Sequence, residues 1–335
     1  MKKHIGRQTV ALPSSPTILS YASTVGKKES EGPLGKYFDK TVSDVTFGEN
    51  TWEKAESRLF LENYSLLKQK AHFSESDINY IIAGDLLNQC TASAFGLRDR
   101  DIPYLGIYGA CSTMSEGISI AAMLTDGGFS EKTIAMAGSH FCSAEKQFRF
   151  PLEYGGVRTP TSQWTVTGAG AVLIGYGGNI KITHITTGKI VDKGIKDANN
   201  MGAAMAPSFA DTINAHFEDT GFSPSDYDLI LSGDLGLVGM EIAKDLLFKK
   251  NIDISKNYND CGAMIFDKES QDTHAGGSGC GCSGSVLCGY ILPKIEKGEY
   301  KNVLFVATGA LMSPTSSQQG ESIPSIAHAV TLQTS

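Results

Sequence analysis

The chain has 335 residues, of which 41% are hydrophobic and 19% charged, the composition of an ordinary soluble globular protein. Its formal net charge of −7 argues against a nucleic-acid groove, which needs a basic surface. No apolar run reaches the roughly 18 residues that span a bilayer, and the first residues lack the apolar stretch of a signal peptide. We therefore expect a protein of the cytoplasm.

The seven cysteines are an odd number and stand in apolar rather than turn-rich surroundings, which favours reduced thiols over disulfide bonds. Those in the last third of the chain lack the paired C-x-x-C spacing of a structural zinc site; they are Cys261, Cys280, Cys282 and Cys288. We therefore expect no metal centre in this chain.

In the first half, apolar periodicity and turn residues predict alternating strands and helices. A strand-like segment at 8–25 is broken by Pro13 and Pro16, and a turn-rich but ordered excursion follows at 29–46. The next predicted elements are a helix at 52–71, a strand at 79–83, a helix at 90–100, a short buried strand at 104–108, a charge-poor helix at 111–125 and a strand at 133–138. A polar, aromatic insertion at 140–163 then precedes a strand at 165–176.

The second half repeats this order. It is predicted to contain a strand at 179–191, a helix at 206–220, a strand at 228–232, a helix at 239–249, a glycine-rich loop at 271–279, a helix at 282–296 and strands at 303–308 and 326–332. Strands that alternate with helices indicate an α/β protein, in which helices cover the faces of a sheet.

Two pairs of matching phrases show that the halves are related. Residues 73–86 and 222–235 both begin Phe-Ser, continue through Ser-Asp and an apolar strand, and end in Gly-Asp-Leu. Gly-Ala-Cys-Ser at 109–112 and Gly-Cys-Ser at 281–283 each open a charge-poor helix. A repeat this long predicts a duplicated half-domain, with one half at 1–177, including the insertion, and the other at 178–335. Because a helix without charges belongs in the interior, we predict a five-layer αβαβα sandwich with these two helices between two sheets.

Cys111 stands where the predicted strand 104–108 meets the start of the first charge-poor helix. Unpaired N–H groups and the positive end of the helix dipole favour a thiolate there. Cys111 is therefore a candidate nucleophile. The alternative is a small buried side chain at a crowded turn.

Several motifs give this chain a resemblance to a known family. The Gly-Ala-Cys-Ser turn, the strand Thr-Gly-Ala-Gly-Ala-Val-Leu (167–173) and the duplicated halves resemble the thiolase and ketoacyl-synthase superfamily. More narrowly, the chain resembles the stage V sporulation protein AD family through Glu-Gly-Pro-Leu-Gly (31–35), Ala-Gly-Asp-Leu-Leu-Asn-Gln (83–89), Gln-Phe-Arg-Phe-Pro (147–151), Asn-Asp-Cys-Gly (259–262) and Glu-Ser-Ile-Pro-Ser-Ile-Ala-His (321–328). The resemblance implies the thiolase-like fold.

Two departures from the superfamily argue against an enzyme. The loop at 275–282 has neither the Gly-His-Pro of thiolases nor the Gly-Asn-Thr-Ser of type III ketoacyl synthases, and Asp234 lies in the segment where relatives carry a histidine. Acyl transfer needs a base and oxyanion donors besides the nucleophile. His140, His274 and His328 are the remaining candidates, each with a structural role as the alternative; His72 and His216 are expected at the surface.

The family resemblance implies a protein that binds dipicolinic acid, a pyridine dicarboxylate, probably as its calcium chelate, and supports its uptake into the developing spore. The implied binding residues lie near the helix start and in the insertion: Cys111, Ser112, Thr113, His140, Arg149 and His328. For Arg149 the alternative is a guanidinium that ties the insertion to the core, and Arg158 reads as a loop charge. Two other functions stay open: an acyl-thioester condensing enzyme that uses Cys111, and a scaffold with a vestigial pocket.

The resemblance also implies partners and a location. We expect a homodimer that continues the sheet through the strand at 133–140, and contacts with other proteins of the spore membrane transport complex. The protein would then lie in the cytoplasm or forespore, peripherally attached to the inner spore membrane. We expect no cofactor, with calcium present only as part of the ligand.

Overall fold

Strands and helices alternate along the computed structural model, which describes residues 3–148 and 157–334. The strands are β1 (His4–Ile5), β2 (Thr9–Ala11), β3 (Thr17–Val25), β4 (Lys40–Thr41), β5 (Tyr80–Gly84), β6 (Tyr104–Gly106), β7 (Thr133–Ser139), β8 (Trp164–Thr165), β9 (Gly168–Gly175), β10 (Ile180–Thr187), β11 (Leu229–Ser232), β12 (Tyr258–Asp260), β13 (Gly277–Ser278), β14 (Asn302–Ala310) and β15 (Ser325–Thr334).

The α-helices are α1 (Lys27–Ser30), α2 (Trp52–Ala71), α3 (Thr91–Leu97), α4 (Thr113–Asp126), α5 (Phe141–Phe148), α6 (Met201–Thr220), α7 (Gly236–Phe248), α8 (Cys261–Ile265), α9 (Cys280–Val286), α10 (Leu292–Glu296) and α11 (Pro314–Gln318). A π-helical turn at Leu287–Ile291 joins α9 to α10, so that these segments form one continuous helix.

Local signals explain where the long helices begin and end. The Thr51 side chain accepts a hydrogen bond from the backbone of Lys54 at the start of α2, and His72 adopts the left-handed conformation that ends it. Asn200 caps α6 in the same way as Thr51 caps α2, and the left-handed Gly221 closes it. Helix α6 therefore begins about one turn before the predicted position 206.

The main sheet consists of two leaves with the same internal order. One leaf runs β3-β9-β7-β5-β6, the other runs β10-β15-β14-β11-β12, and a short pairing of β3 with β10 joins them. In each leaf the first two pairings are antiparallel and the last two are parallel. The predicted relationship between the halves is thus visible in the connectivity.

The repeated phrases also fold alike. Ser74 and Asp77 form a capping box around a short 3₁₀ turn before β5, and Ser223 and Asp226 form the same box before β11. In both halves this turn leads into a fully or largely buried strand that ends in Gly-Asp-Leu.

Three hydrophobic clusters define the layers. In the first outer cluster, α2 and α3 pack on one face of β5, β7 and β9; in the second, α6 and α7 pack on β11, β14 and β15. The central cluster contains α4, α9 and α10 together with the inner faces of both leaves. Strand β14 shows the alternation, because Leu304 and Val306 face the second outer cluster whereas Phe305 and Ala307 face the central one. This arrangement confirms the predicted thiolase-like αβαβα sandwich.

Two strand predictions are wrong in ways that affect assembly. The strand expected to be buried, β6, lies at the edge of its leaf, and Leu105 is 43% exposed. Strand β7 is hydrogen-bonded to β5 on one side and to β9 on the other. A second copy therefore cannot extend the sheet through β7; in the described chain the ordered path of this sheet ends at β6 and at β12.

Candidate functional site

A cavity of about 300 Å³ lies beside Cys111, among the described residues. Its apolar wall is formed by Leu86, Ala144, Phe148, Met201, Met205 and Met312. Its polar groups belong to Tyr108, Glu145, Gln163, Thr165, Asn199 and Ser278. Mainly apolar walls with a few polar groups are typical of small-molecule sites, and this volume is at the small end of their range.

Cys111 reaches the cavity from a tight 3₁₀ turn, Ala110–Ser112, that precedes α4. Ala110 adopts a positive φ of 50°, which is unfavourable for a residue with a Cβ and must be held in place by the surrounding structure. Strand β14 passes against the turn so closely that a Cβ at Gly309 would lie 2.2 Å from the carbonyl oxygen of Gly109. The turn is thus held between α4 and the second leaf, with Cys111 facing the cavity.

The hydroxyl groups next to Cys111 are used to build this turn. Ser112 Oγ donates to the carbonyl of Gly109 at 2.7 Å, and Thr113 Oγ1 donates to the carbonyl of Ala110 at 2.6 Å. Both residues are fully buried, and neither lines the cavity. The structure therefore places Ser112 and Thr113 behind Cys111, where they fix its position.

The environment of Cys111 does not favour the thiolate that its place before a helix suggests. Burial raises the pKa of the thiol well above its usual value, and the negative charge of the Asp234 carboxylate raises it further. The backbone of Gly279 acts in the opposite direction, but its effect on the pKa is smaller. Burial and a nearby acid therefore act against the thiolate that a helix start favours.

Asp234 is the central polar group of this site. It is fully buried after β11, and its carboxylate accepts hydrogen bonds from Gly279 N at 2.8 Å, Ser278 Oγ at 3.2 Å and Thr308 Oγ1 at 2.9 Å. Burial raises its pKa to about 7, and these donors partly offset the effect. The carboxylate thus connects β14 to the glycine-rich loop.

The glycine-rich loop is also fixed from the side of the insertion. Gln163 Nε2 donates to the carbonyl oxygens of Asp234 and Gly277, at 2.7 Å each. The short parallel pair of β8 with β13 continues this connection. One wall of the cavity is therefore a rigid hydrogen-bonded unit.

His140 is buried but does not line the cavity. Its Nε2 is 2.8 Å from the carbonyl of Val45, and its Nδ1 accepts from Cys142 N at 3.2 Å. The ring also stacks on Trp52, with 5.8 Å between centroids. Burial lowers its pKa. Both ring nitrogens are thus engaged by the protein.

His328 lies within β15. Its Nδ1 accepts a hydrogen bond from Gly188 N at 3.3 Å, and burial lowers its pKa to about 4. It does not line the cavity. The structure therefore does not bring His140 and His328 together around Cys111.

The other histidines occupy different environments. His216, expected at the surface, is 1% exposed and lies between Thr186 and Tyr227, whereas His72 is exposed as predicted. His216 is buried because α6 packs its whole length against the second leaf. His274 precedes the glycine-rich loop, with its Nε2 3.7 Å from Asp272 Oδ1.

Arg158 is more than a loop charge. Its Nη1 is 3.7 Å from Glu145 Oε1, its Nη2 donates to the Gln163 carbonyl, and its guanidinium lies 5.0 Å from the centre of the Trp164 ring. It thus connects the insertion to the cavity wall at Glu145. Arg149 lies outside the described residues.

The sequence reasoning missed two acids at this site. Asp234 was noted only as the residue in place of a histidine, and Glu145 was not considered. Both are buried: Asp234 is inaccessible and Glu145 is 8% exposed. The repeated Gly-Asp-Leu could have marked Asp234, because an acid after a buried strand lies at the edge of the sheet where functional sites form.

Two further structural findings concern metals and membranes. Within residues 3–148 and 157–334, three or more His, Cys, Asp or Glu side chains do not come together in a metal-binding group. Among the helices in those ranges, none combines the length and apolar character needed to cross a bilayer.

Comparison with known proteins identifies both relatives and fold. The family model "Stage V sporulation protein AD" matches residues 6–333. The stage V sporulation protein AD of Bacillus subtilis (strain 168) is 43% identical over 332 residues, which cover 99% of this chain and 98% of that protein.

Two solved structures share the architecture at low sequence identity. The 3-oxoacyl-[acyl-carrier-protein] synthase III of Aquifex aeolicus VF5 is 15% identical, with a TM-score of 0.57 over 95% of this chain and 99% of its own. Human mitochondrial 3-ketoacyl-CoA thiolase, solved in complex with CoA, is 12% identical, with a TM-score of 0.60 over 97% and 99%. At this identity the likeness establishes the fold alone.

Proposed function

Because the chain belongs to the stage V sporulation protein AD family, we propose that this sporulation protein binds dipicolinic acid in the cavity beside Cys111 and supports its uptake into the spore. The observation that carries the choice of binding over acyl transfer is the chemistry around Cys111. The charge of Asp234 acts against ionisation of the thiol, and no histidine is among the described residues that line the cavity. A condensing enzyme requires a thiolate and a base placed to generate it.

The shape and chemistry of the cavity suit a small, flat ligand. Tyr108 and Phe148 offer aromatic surfaces, and the three methionines of the lining can adapt to an irregular shape. Thr165 and Asn199 provide a hydroxyl and an amide group that can donate to carboxylate oxygens.

The charges of the lining favour the calcium chelate over the free dianion. The described part of the lining contains Glu145 but no lysine, arginine or histidine. Because Glu145 is paired with Arg158, the described lining offers no cation to balance a dianion, and burying a dianion without a cation is costly. In the chelate, calcium neutralises both carboxylates and keeps coordination positions for further oxygen ligands, which Glu145 can supply.

Calorimetric titration tests this proposal directly. We expect dipicolinate to bind in the presence of calcium and to bind at least about tenfold more weakly when a chelator removes the calcium. Ala144→Phe, which fills the cavity, should abolish binding, whereas Ala94→Phe on α3, outside the cavity lining, is the matched control. Binding that is retained in Ala144→Phe would refute the location, and no binding in the wild-type protein would refute the function.

The alternative function has its own test. If Cys111 forms an acyl-enzyme, intact-mass analysis after incubation with acetyl-CoA or malonyl-CoA will show an adduct that peptide mapping assigns to Cys111. We expect no adduct on the wild-type protein.

We also propose a homodimer, formed through β6 rather than β7. The support is that β6 is the edge strand of the first leaf and that Leu105 and Tyr108 are each 43% exposed beside it. Paired edge strands would remove unsatisfied backbone groups from solvent. Attachment to the inner spore membrane would depend on partner proteins of the transport complex.

A further inference from the structure

We infer that the ion pair between Glu145 and Arg158 decides which ionic form of a dicarboxylate the cavity accepts. Glu145 balances the Arg158 guanidinium and keeps it from the ligand, so that the calcium chelate binds in preference to the free dianion. The inference rests on the proposed function, since it concerns the same ligand. It adds the residues that set this preference and a substitution that reverses it.

The two members of the pair differ in their relation to the cavity. Glu145 lines the cavity from the middle of α5. Arg158 is not among the described lining residues, but its Nη1 lies 3.7 Å from Glu145 Oε1. The side chains of Glu145 and Arg158 are only 10% and 16% exposed, so water and salt screen this pair weakly. The acid of the pair therefore meets the ligand, and the cation that balances it lies outside the described lining.

Helix α5 holds the Glu145 carboxylate at the cavity. At the start of the helix, Phe141 stacks on Trp164 with 3.8 Å between the ring centroids and 8° between the ring planes. At the other end, Gln147 Nε2 donates a hydrogen bond to the carbonyl of Leu86 at 2.9 Å. Glu145 lies between these two attachments, so α5 cannot carry the carboxylate away from the cavity without breaking one of them.

Arg158 is held against the same aromatic pair. Its guanidinium lies 5.0 Å from the centre of the Trp164 ring and 6.0 Å from that of Phe141. Its Nη2 also donates a hydrogen bond to the carbonyl of Gln163. Because α5 and Arg158 are both fixed on Trp164, the separation of the two charges is set by the fold and not by the ligand.

This arrangement gives the chelate and the free dianion different electrostatic costs. The positive charge of Arg158 already balances Glu145, so a free dicarboxylate would enter beside an acid whose counter-charge is in use. Burial of such a ligand without its own cation is costly. In the chelate, calcium balances the ligand carboxylates and accepts further oxygen ligands, and Glu145 is placed in the lining to supply one.

Neutralising one member of the pair should therefore change the preference in a direction that depends on which member is changed. In Glu145→Gln the Arg158 charge is left without this partner at the edge of the cavity, and a guanidinium pairs well with carboxylates. In Arg158→Gln the Glu145 charge is left without this partner, which disfavours the dianion further and favours calcium. Loss of packing would not produce opposite effects in the two variants.

Calorimetric titration of the full-length protein with dipicolinate tests this inference. Each protein is titrated once with calcium and once with a chelator, and the ratio of the dissociation constant without calcium to that with calcium measures the calcium dependence. We expect the ratio to fall about tenfold or more in Glu145→Gln, because a unit charge within about 6 Å of the ligand, at an effective dielectric constant of about 20, changes affinity by more than tenfold. In Arg158→Gln the ratio should exceed that of the wild type.

Two further variants are matched controls. Glu53→Gln removes the neighbouring ion pair of α5, in which Lys146 Nζ donates to Glu53 Oε1 at 2.6 Å, and neither of its members lines the cavity. Arg158→Lys keeps the positive charge beside Glu145. Both controls should keep the calcium dependence of the wild type.

The outcomes separate this inference from the proposed function. If the wild type binds the chelate, an unchanged ratio in Glu145→Gln, or an equal fall in Arg158→Gln or Glu53→Gln, would overturn the inference alone. No binding of dipicolinate to the wild type, with or without calcium, would refute the proposed function and the inference with it. If Glu145→Gln does not fold, Arg158→Gln decides: a ratio at or below that of the wild type would overturn the inference.

Discussion

Replacing His216 should change how the stability of this protein depends on pH. The imidazole lies in the second outer cluster, with Nδ1 2.7 Å from Thr186 Oγ1 and Nε2 2.6 Å from Tyr227 Oη. Burial is the main cause that lowers its pKa from 6.5 to about 3. We consider the variant His216→Gln, which can keep one of the two hydrogen bonds.

The magnitude follows from proton linkage. A lowered folded-state pKa gives stability that is fully present above about pH 6.5 and is lost as pH falls toward 3. At about pH 5 the unfolded imidazole is protonated and the folded one is not. The difference, about 1.5 pH units at 1.36 kcal/mol each, removes about 2 kcal/mol from the free energy of unfolding.

Urea denaturation of both proteins at about pH 7.5 and pH 5 measures this effect. The lost hydrogen bond should destabilise His216→Gln by about 1 kcal/mol at the higher pH. The variant lacks the titrating group, so the difference in free energy of unfolding should change by about 2 kcal/mol in its favour at the lower pH. His72→Gln, which replaces an exposed histidine, is the control. A stability gap for His216→Gln that is the same at both pH values would refute the reasoning.

Three further predictions concern burial, packing and assembly. Glu29 is fully buried, and burial raises its pKa to about 7. Its neutral form, which stabilises the folded state, is therefore lost as pH rises from about 4.5 to 7. Across that range the free energy of unfolding of Glu29→Gln should increase relative to the wild type by up to about 3 kcal/mol. Gly170→Ala would place a Cβ 2.1 Å from the Gly284 carbonyl oxygen, so urea denaturation should show a free energy of unfolding about 3 kcal/mol lower. The control is Gly117→Ala, whose Cβ would be 3.5 Å from its nearest neighbour; it should cost nothing or stabilise α4 by up to about 1 kcal/mol. Similar losses in both variants would contradict the close contact of β9 with α9. Leu105→Arg should convert the proposed dimer to a monomer in analytical ultracentrifugation, and an unchanged sedimentation coefficient would exclude the β6 interface.

Much of the fold could be predicted because it depends on local patterns. Helix α2 has its predicted bounds, because the Thr51 cap and the apolar spacing both depend on residues that are close in the sequence. The repeat of Ser-x-Ser-Asp and Gly-Asp-Leu indicated two related halves, and both leaves of the sheet have the same strand order. Motifs spread over the whole chain were sufficient to indicate the family.

The errors arose where the neighbour of a segment decides its environment. The apolar sequence of β6 predicts a buried strand, yet β6 is paired with another strand on one side only. His216 stands among charged residues in the sequence, yet its side of α6 packs against the second leaf. Neither outcome can be found from spacing, because each depends on which element lies across from it.

The sequence by itself determined the α/β class, the duplicated halves, the family and the position of Cys111 before a central helix, because each of these depends on residue order and periodicity. Only the tertiary structure decided what surrounds Cys111. The protonation of a thiol depends on charges and burial contributed by distant segments, and here the folded chain buries Cys111 and adds the charge of Asp234, which Thr308 and Gly279 hold in place. The chemistry available to Cys111 therefore depends on contacts between segments that are far apart in the sequence.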